Sequence, residues 1–277
     1  MRSPSTFECF IISEREFTVC GDIHGQYYDL LNIWDKNGYP SKEKPYLFNG
    51  DFVDRGSFSV ECILALFIYK LHDKDCLYLN RGNHEGRGMN KLYGFEGEVK
   101  AKYDGDTFDL FSYAFDRLSL CHILNKQVMV CHGGLFEKDG VKLEDIEKIK
   151  RNRDIPEKGM FTDMLWSDPC KVSGRIPSKR GVSIQFGPDV AAKFLDENGL
   201  KLLVRSHEVK DEGYEVEPGG RVITVFSAPK YCDQMTNKGA YVKFKGSEMT
   251  PHFVKFESSP HPPIPAMHYA RRGSFLR

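Results

Sequence analysis

The sequence has no excess of either charge and no paired cysteines, and both absences exclude classes of protein. Its 39 basic and 39 acidic residues balance, so overall charge gives no reason to expect nucleic acid or an anionic membrane as a partner. Its 8 cysteines stand singly, without a CxxC pair. We interpret them as reduced core thiols, which predicts a cytoplasmic protein, with an additional nuclear location left open.

Long apolar runs are also missing. The longest strongly apolar stretch, 62–69, is too short to cross a bilayer, and 1–9 lacks the apolar run of a signal peptide. We therefore predict no membrane partner. A chain of 277 residues, with roughly uniform composition up to about residue 257, favours one large α/β domain.

Apolar residues at helical and strand spacing predict alternating strands and helices. A helix over 26–36 ends at Gly38, and a second helix follows residue 56 with Ser57 or Ser59 as its cap. The apolar stripe of this second helix, which we interpret as core packing, comprises Val60, Ile63, Leu64, Phe67, Ile68 and Leu71. Further predictions are helices over 108–118, 141–151 and 189–197, strands over 127–131, 202–204, 222–226 and 240–244, and a surface loop over 156–181.

Three polar, glycine-containing motifs each follow a short strand-like run. They are GDIHG at 21–25, GDFVDRG at 50–56 and GNHE at 82–85. In open α/β sheets, loops at the carboxyl ends of neighbouring strands converge on one crevice, so the motifs predict one shared site. Carboxylate, imidazole and amide groups together suit borderline metals such as Mn, Fe or Zn.

Together and in this order, the three motifs resemble the phosphoprotein phosphatase family of two-metal serine/threonine phosphatases. The segments 89–103, 179–187, 205–216 and 260–270 resemble one branch of that family, and the resemblance covers about 16–270. It implies a calcineurin-like metallophosphoesterase, a four-layer α/β/β/α sandwich with two mixed sheets. The pattern of residues alone supports only an α/β fold with motifs at strand ends. In this scheme 1–14 is a divergent or truncated segment, 15–257 the catalytic domain and 258–277 a coil tail.

The resemblance also implies two divalent metal ions, with Mn²⁺ expected in vitro and Fe or Zn as alternatives. The ligands that it assigns are Asp22, His24 and Asp51 on one metal, and Asp51, Asn83, His132 and His207 on the other. Two such ions clamp the attacking and leaving oxygens of a phosphoryl group. The implied reaction is direct attack by a hydroxide that bridges the metals.

The phosphoryl group of the implied substrate is an anion, so cationic side chains are expected to bind it. Arg55 and Arg180 occupy the family's phosphate-clamping positions, and planar guanidinium groups bind two oxygens at once. Asn83 is a further phosphate donor, and Tyr231 matches a tyrosine at the edge of the site. Each arginine also has a plain alternative, a structural ion pair.

A serine or threonine leaving group needs a proton, and the resemblance gives this role to His84, with Asp54 orienting its ring. A positioned acid of this kind contributes about two to four orders of magnitude in rate. The remaining histidines match no motif, and we interpret them as surface or packed residues: His72, His122, His252, His261 and His268.

The expected substrates are phosphorylated proteins, whose dephosphorylation serves signalling, and regulatory proteins are further candidate partners. The sequence contains no tetratricopeptide repeat, so chaperone binding through such repeats is not inferred. Two other functions stay open. A diadenosine-tetraphosphate hydrolase shares the first three motifs but is not expected to carry the later segments. A catalytically silent scaffold is opposed by the complete set of ligands.

The chain departs from the family pattern in two places. Lys230 stands where the family usually has asparagine, and Gly86 and Arg87 follow GNHE where a hydroxyl and an acidic residue are common. From charge alone, Arg87 suggests a preference for acidic phosphopeptides. The basic end around Ser274 resembles a basophilic-kinase site, and a solvated basic end explains it equally well.

Overall fold

The computed structural model describes residues 6–9, 15–246 and 248–270, with side chains from residue 15 onward. Its strands form two mixed sheets and one small sheet. The first sheet has the order β1 (Thr6–Cys9), β5 (Cys121–Leu124), β6 (Val128–Cys131), β10 (Leu202–Arg205), β12 (Val222–Val225) and β11 (Tyr214–Val216). The second has the order β14 (Pro251–Phe256), β13 (Gly239–Lys245), β2 (Glu16–Cys20), β3 (Tyr46–Phe48) and β4 (Leu77–Leu79). The small sheet comprises β7 (Asp168–Pro169), β9 (Ile184–Phe186) and β8 (Arg175–Pro177).

The helices lie on the outer faces of the two large sheets. They are α1 (Tyr27–Asn37), α2 (Ser59–His72), α3 (Arg87–Tyr93), α4 (Phe95–Lys102), α5 (Gly105–Phe115), α6 (Leu143–Glu147), α7 (Met160–Trp166) and α8 (Pro188–Glu197). Of these, α1, α2, α4 and α5 pack on the second sheet, and α6, α7 and α8 pack on the first. A short 3₁₀ turn spans Tyr231–Asp233.

The strands bury both of their faces. In β3, Tyr46 and Phe48 pack toward α1 and α2, whereas Leu47 packs toward the other sheet. In β6, Met129 contacts the α7 and α8 side while Val130 lies between the sheets. Successive strand side chains point to opposite faces, so this alternation makes three apolar layers between four layers of structure. The predicted four-layer fold with two mixed sheets is confirmed.

Parallel strands bring the polar motifs to one edge of the sandwich. β2, β3 and β4 run parallel, and so do β6, β10 and β12 in the other sheet. The backbone of Asp22 bridges to Phe226, which joins the two sheets at this edge. The Asn49 amide crosses between the sheets by donating to the Cys131 carbonyl at 2.8 Å and to Ser206 Oγ at 2.9 Å.

Helix α2 differs from its prediction at both ends. Its N-cap is Phe58, and neither Ser57 nor Ser59 caps it with a side chain. The Glu98 carboxylate of α4 accepts instead from the Ser59 and Val60 amides, at 3.1 and 2.8 Å. A carboxylate from another element stabilises the positive end of the helix, which local sequence could not indicate.

The far end of the same apolar stripe is not core. Val60 and Ile63 are buried, but Ile68 is 63% exposed and Leu71 is 86% exposed. Cys62 and Leu66 are buried in addition. The helix extends past the edge of the layer it packs on, so helical spacing predicts the inward face only for its first turns.

Two predictions between 141 and 181 are wrong. The helix predicted over 141–151 is limited to Leu143–Glu147, because the buried Arg151 donates to the carbonyls of Arg117 and Leu118 and draws the chain out of the helix. The loop predicted over 156–181 contains α7 together with β7 and β8. Turn-forming prolines and glycines around α7 masked the helical spacing of its buried residues Phe161, Met164 and Leu165.

The C-terminal part of the described chain is coil from 257 to 270, as the composition indicates. It nevertheless lies against the domain: the Ser259 amide donates to Asp29 at 2.7 Å. The division into 1–14, 15–257 and 258–277 stays a prediction, and Ser274 lies outside the described residues. Among the described helices, none is long and apolar enough to cross a membrane.

Candidate active site

The strand-end motifs converge on one buried cluster of polar side chains. Two groups of atoms with metal-ligand character share Asp51: His24, Asp51 and His84 form one, and Asp51, His132 and His207 form the other. Within each group the atoms lie within 4.8 Å of one another. Asp22 lies beside both groups, with Oδ2 3.7 Å from His24 Nε2 and Oδ1 accepting from the His207 amide at 3.1 Å. Five of the six side chains predicted as ligands are thereby brought together, and the sixth, Asn83, lies 3.0 Å from His132 Nε2.

The loops that carry these residues are tightly folded. Positive φ angles are adopted by five of the residues in question: His24, Asp51, Asp54, Arg55 and His207. Residues other than glycine rarely adopt this conformation, and it concentrates at functional sites where the surrounding structure enforces it. A Cβ on Gly82 would lie 2.2 Å from Asp51 Oδ1, so only glycine lets these two loops approach.

Backbone carbonyls fix the imidazole rings in one orientation. His24 Nδ1 lies 2.9 Å from the Val53 carbonyl, and His132 Nδ1 lies 2.8 Å from the Asn49 carbonyl. Each Nδ1 must carry a proton to donate, so each neutral ring presents a bare Nε2 to the cluster. This orientation is typical of histidines that bind a metal.

Asn83 completes a set of groups that all present lone pairs. Its Oδ1 lies 3.0 Å from His132 Nε2, which in turn lies 3.2 Å from His207 Nδ1. Turning the amide over places its NH₂ 3.0 Å from both imidazole nitrogens and 3.2 Å from Asp51 Oδ2. With His132 neutral, as metal binding requires, the neighbours of Asn83 are acceptors, and a cation satisfies them when the amide oxygen faces inward. The residues present fit a divalent metal centre.

The charges of the cluster lead to the same conclusion. Burial raises the pKa of Asp22 to about 7, although His132 opposes the shift. Burial acts against a charge on His132, but the Asp51 carboxylate outweighs it and raises the pKa of His132 to about 9. Burial lowers the pKa of His24 to about 3. Without a metal, a proton on His132 offsets the negative charge of the buried carboxylates. A bound cation would offset the same charge.

His84 is held beside this cluster by a buried carboxylate. Its Nδ1 lies 2.8 Å from Asp54 Oδ2, and the Asn90 amide donates to the same oxygen at 3.0 Å. The other oxygen of Asp54 accepts from the Phe95 amide at 2.9 Å. Burial lowers the pKa of His84, but Asp51 and Asp54 outweigh it, and the net shift is upward. The predicted pair is present, and Nε2 of His84 makes no hydrogen bond to any of the described residues.

Arg55 lies beside His84 without a partner for its Nε among the described residues. Its guanidinium group stacks 3.7 Å from the centre of the Tyr93 ring, and that ring lies 5.1 Å from the His84 ring. A guanidinium donor that is buried and unpaired favours an anion as its missing partner.

Arg180 has the structural ion pair that was the alternative to phosphate binding. Its Nε donates to Asp168 Oδ2 at 2.6 Å, and its Nη2 donates to the His207 carbonyl at 2.9 Å. Asp168 also accepts from Arg205 at 2.7 Å. These contacts hold the Arg180 side chain against the backbone of His207, a candidate ligand. The ion pair with Asp168 therefore keeps the guanidinium group at the site.

Tyr231 lies at the edge of the cluster, with its ring 5.2 Å from the His24 ring. Burial raises the pKa of the phenol well above its usual range, so the hydroxyl stays protonated. Lys230 before it has φ +46° and ψ +49°, a left-handed conformation. The asparagine that the family usually has there is one of the few residue types that adopt this conformation readily.

We expect Lys230→Asn to raise the free energy of unfolding by about 0.5–1 kcal/mol, because asparagine suits the left-handed backbone better than lysine. Denaturation in urea measures the effect. Lys171→Asn is the matched control, since Lys171 is exposed and its φ is not positive. Equal changes in the two variants would contradict the conformational explanation.

The charge of Arg87 does not face the cluster freely. Its Nη1 donates to Asp109 at 2.7 Å, and its guanidinium lies 5.8 Å from the centre of the Phe108 ring. The carboxylate offsets the added charge, so the structure gives no support to a preference for acidic peptides. Gly86 has φ −131°, which other residues adopt.

Sequence reasoning missed Glu85, which holds two ligand loops together. Its Oε2 accepts from the Asp51 and Gly82 amides at 2.7 and 2.8 Å, and its Oε1 accepts from the Phe52 amide at 2.8 Å. Its place in the GNHE motif was the available signal. Among the histidines outside the motifs, His122 is buried with Nδ1 2.6 Å from Asn80 Oδ1 and is therefore packed, as predicted.

Comparison with known families identifies relatives of the chain. The family model for calcineurin-like phosphoesterases matches residues 16–211. A solved structure described as a protein serine/threonine phosphatase from Saccharomyces cerevisiae with similarity to human phosphatase PP5 superposes with a TM-score of 0.93 at 40% identity, and the match covers 96% of this chain and 88% of that one.

Curated relatives are similar along almost the whole chain. It is 57% identical over 274 residues to serine/threonine-protein phosphatase 5 of Arabidopsis thaliana, a match that covers 99% of this chain and 51% of the relative. It is 59% identical over 255 residues to the human protein of the same name, covering 92% of this chain and 51% of the relative. The chain spans about half the length of these relatives.

Proposed function

The chain belongs to the calcineurin-like phosphoesterase family and, within it, to the serine/threonine phosphatases similar to phosphatase 5, and from this premise we propose that it hydrolyses phosphoserine and phosphothreonine in proteins. The observation that carries the proposal is the pair of ligand groups sharing Asp51, beside which Arg55 Nε has no hydrogen-bond partner among the described residues. Two adjacent cation sites next to a guanidinium with a buried, unsatisfied Nε suit a phosphoryl group.

The proposed residues of the metal centre are Asp22, His24, Asp51, Asn83, His132 and His207. When bound, two divalent cations polarise the phosphoryl oxygens and lower the pKa of a water molecule, which supplies a nucleophile at neutral pH. The ligand set contains no thiolate, so we propose Mn²⁺ for activity in vitro, with Fe and Zn as alternatives in the cell.

The remaining residues bind and orient the substrate. Arg55 and Arg180 contact the equatorial phosphoryl oxygens, which carry the charge of the transition state, and Arg180 is held for this by Asp168. Asn83 contacts the same phosphate from within the cluster, and Tyr231 contacts it from the edge of the site. These contacts are the proposed source of substrate binding.

His84 delivers the proton to the departing serine or threonine oxygen. Its Nδ1 is fixed by Asp54, so the proton leaves from Nε2, the nitrogen without a protein partner in this hydrogen-bond arrangement. Phosphorylated signalling proteins are the proposed partners, and regulatory proteins are further candidates. Cytoplasm and nucleus are the proposed locations.

We expect purified protein with Mn²⁺ to release phosphate from phosphoserine and phosphothreonine peptides and to lose this activity when the metal is chelated. The measurement is phosphate release from a peptide and, in parallel, from a diadenosine polyphosphate. Faster hydrolysis of the dinucleotide would favour the second enzyme class. Activity on neither substrate, with bound metal confirmed, would favour a scaffold.

A further inference from the structure

The coil segment 258–270, here called the C-terminal strap, crosses the motif loops next to the candidate active site. It covers a cavity of about 390 Å³ whose lining includes Gly56, Phe58 and Pro229 as well as strap residues His261 and Ile264. The strap therefore forms one wall of this cavity. Other parts of the wall are Gly56, which follows Arg55 in the sequence, and Lys230 and Cys232, which flank Tyr231.

Two hydrogen bonds join the strap to the loop of Arg55. The Met267 amide donates to the Arg55 carbonyl at 2.6 Å, and Ser57 Oγ donates to the Pro265 carbonyl at 2.6 Å. Met267 itself has φ +61°, an unfavourable conformation that this contact helps to explain. The strap thus contacts both sides of Gly56.

Arg55 needs such support because its backbone is strained. Its φ is +69°, and its amide donates to the Tyr93 carbonyl at 3.0 Å. The carbonyl of Arg55 receives its hydrogen bond from Met267. The backbone of the arginine is therefore clamped between helix α3 on one side and the strap on the other, while its guanidinium stacks on Tyr93.

Further contacts hold the strap itself in place. A Cβ on Gly97 of α4 would lie 2.3 Å from the Tyr269 carbonyl oxygen, so the strap lies directly on the helix backbone. The Lys102 ammonium lies 5.8 Å from the centre of the Tyr269 ring, and His261 Nε2 lies 3.0 Å from Asp233 Oδ1. These contacts give the strap one defined path past Arg55.

We propose that the strap positions Arg55 for phosphate, with the Met267 amide as the group that transmits this effect. The inference rests on the proposed function of Arg55 as a phosphate clamp. Binding of a phosphoryl group by a guanidinium depends on its placement, and an error of about 1 Å at a catalytic group can cost about a hundredfold in rate. Loss of the strap contact therefore weakens phosphate binding without removing any group that contacts phosphate.

The test compares two substitutions of one residue. Met267→Pro removes the N–H and cannot adopt the observed φ, whereas Met267→Gly keeps the N–H and suits that φ. Both lose the methionine side chain. With Mn²⁺-loaded protein, we expect Met267→Pro to raise the inhibition constant of inorganic phosphate and the KM for a phosphopeptide by about tenfold. Met267→Gly should match the unchanged protein in both constants, and the metal content should be unchanged in both variants.

A double-mutant cycle with Arg55→Ala separates positioning from a general structural effect. If the strap acts through Arg55, introducing Met267→Pro into the Arg55→Ala protein causes no further loss of phosphate affinity. Calorimetry on the metal-loaded proteins measures the affinity of each variant. Additive losses would overturn the proposal. An unchanged inhibition constant in Met267→Pro, or an equal rise in Met267→Gly, would overturn it as well.

A second pair of variants reaches the strap from the helix side, should Met267→Pro not fold. Gly97→Ala is compatible with a helix but displaces the Tyr269 carbonyl. Gly88→Ala is the control, because a Cβ on Gly88 of α3 meets no atom within 4 Å. We expect faster deuterium exchange over 264–270 and weaker phosphate inhibition in Gly97→Ala only. Faster exchange with unchanged inhibition would overturn the proposal. The proposed function fails separately, if the unchanged protein releases no phosphate.

Discussion

His84→Asn is expected to lower kcat for a phosphoserine peptide by about two to four orders of magnitude, the usual contribution of a positioned general acid. Asparagine can still donate a hydrogen bond toward Asp54 but cannot deliver a proton to the leaving oxygen. Because Nδ1 of His84 is fixed at 2.8 Å from Asp54, only Nε2 is available for that transfer. Steady-state kinetics on Mn²⁺-loaded protein measure the loss.

The same variant distinguishes an acid from a metal ligand, since His84 also lies within one of the ligand groups with His24 and Asp51. An aryl phosphate, whose leaving group departs readily as an anion, depends less on a proton and should lose much less activity than the peptide. His252→Asn, at an exposed position of β14, is the control and should change neither rate. Equal losses on both substrates together with reduced metal content would identify His84 as a ligand.

The candidate metal centre could be predicted from sequence because its information is local. Each motif follows a strand closely in the sequence. Because the carboxyl ends of parallel strands lie at the same edge of a sheet, the motifs meet at that edge. The runs 46–48 and 77–79 coincide with β3 and β4, so the strand pairing brings Asp51 and Asn83 to the same edge of the sheet. Residue type and spacing were sufficient to predict one shared site there, whereas the ligand assigned to each position was implied by the family resemblance.

Contacts between distant segments could not be predicted in this way. The carboxylate of Glu98 that stabilises the start of α2, and the Met267 amide that binds the Arg55 carbonyl, each depend on how separate elements pack. Helical periodicity also failed to predict burial where a helix extends past the layer it packs on. Leu71 has the helical spacing of a core residue but is exposed, because no layer lies against it. Sequence patterns show which face of a helix is apolar, whereas tertiary structure decides how much of that face is covered.

Arg180 shows how the two kinds of information combine. The family resemblance implied a contact with phosphate, the plain alternative was an ion pair, and the structure contains the ion pair with Asp168. The same side chain also donates to the carbonyl of His207. An arginine tied to the backbone of a candidate ligand is already oriented, so ion pairing and phosphate binding are compatible here.

Glu85→Gln is expected to weaken Mn²⁺ binding by about 10–100-fold, the usual cost of changing a group that orients metal ligands. The Glu85 carboxylate is fully buried, and its two oxygens accept from the amides of Asp51, Phe52 and Gly82. A glutamine has one acceptor oxygen, so its NH₂ group must face at least one backbone N–H. A buried donor left in this way costs about 1–3 kcal/mol, and in either orientation of the amide it is a backbone N–H of the loops that carry the ligands: that of Phe52, or those of Asp51 and Gly82.

Metal titration followed by calorimetry, with phosphopeptide hydrolysis at saturating Mn²⁺, measures both consequences. Glu96→Gln is the matched control, because Glu96 is a buried glutamate of the neighbouring helix α4 whose Oε1 pairs with Lys100 and with no ligand loop. High Mn²⁺ should restore much of the activity of Glu85→Gln, since the ligands themselves remain. Normal Mn²⁺ affinity in Glu85→Gln would show that the strand ends alone fix the ligand loops and that the three amide contacts are dispensable for the metal centre.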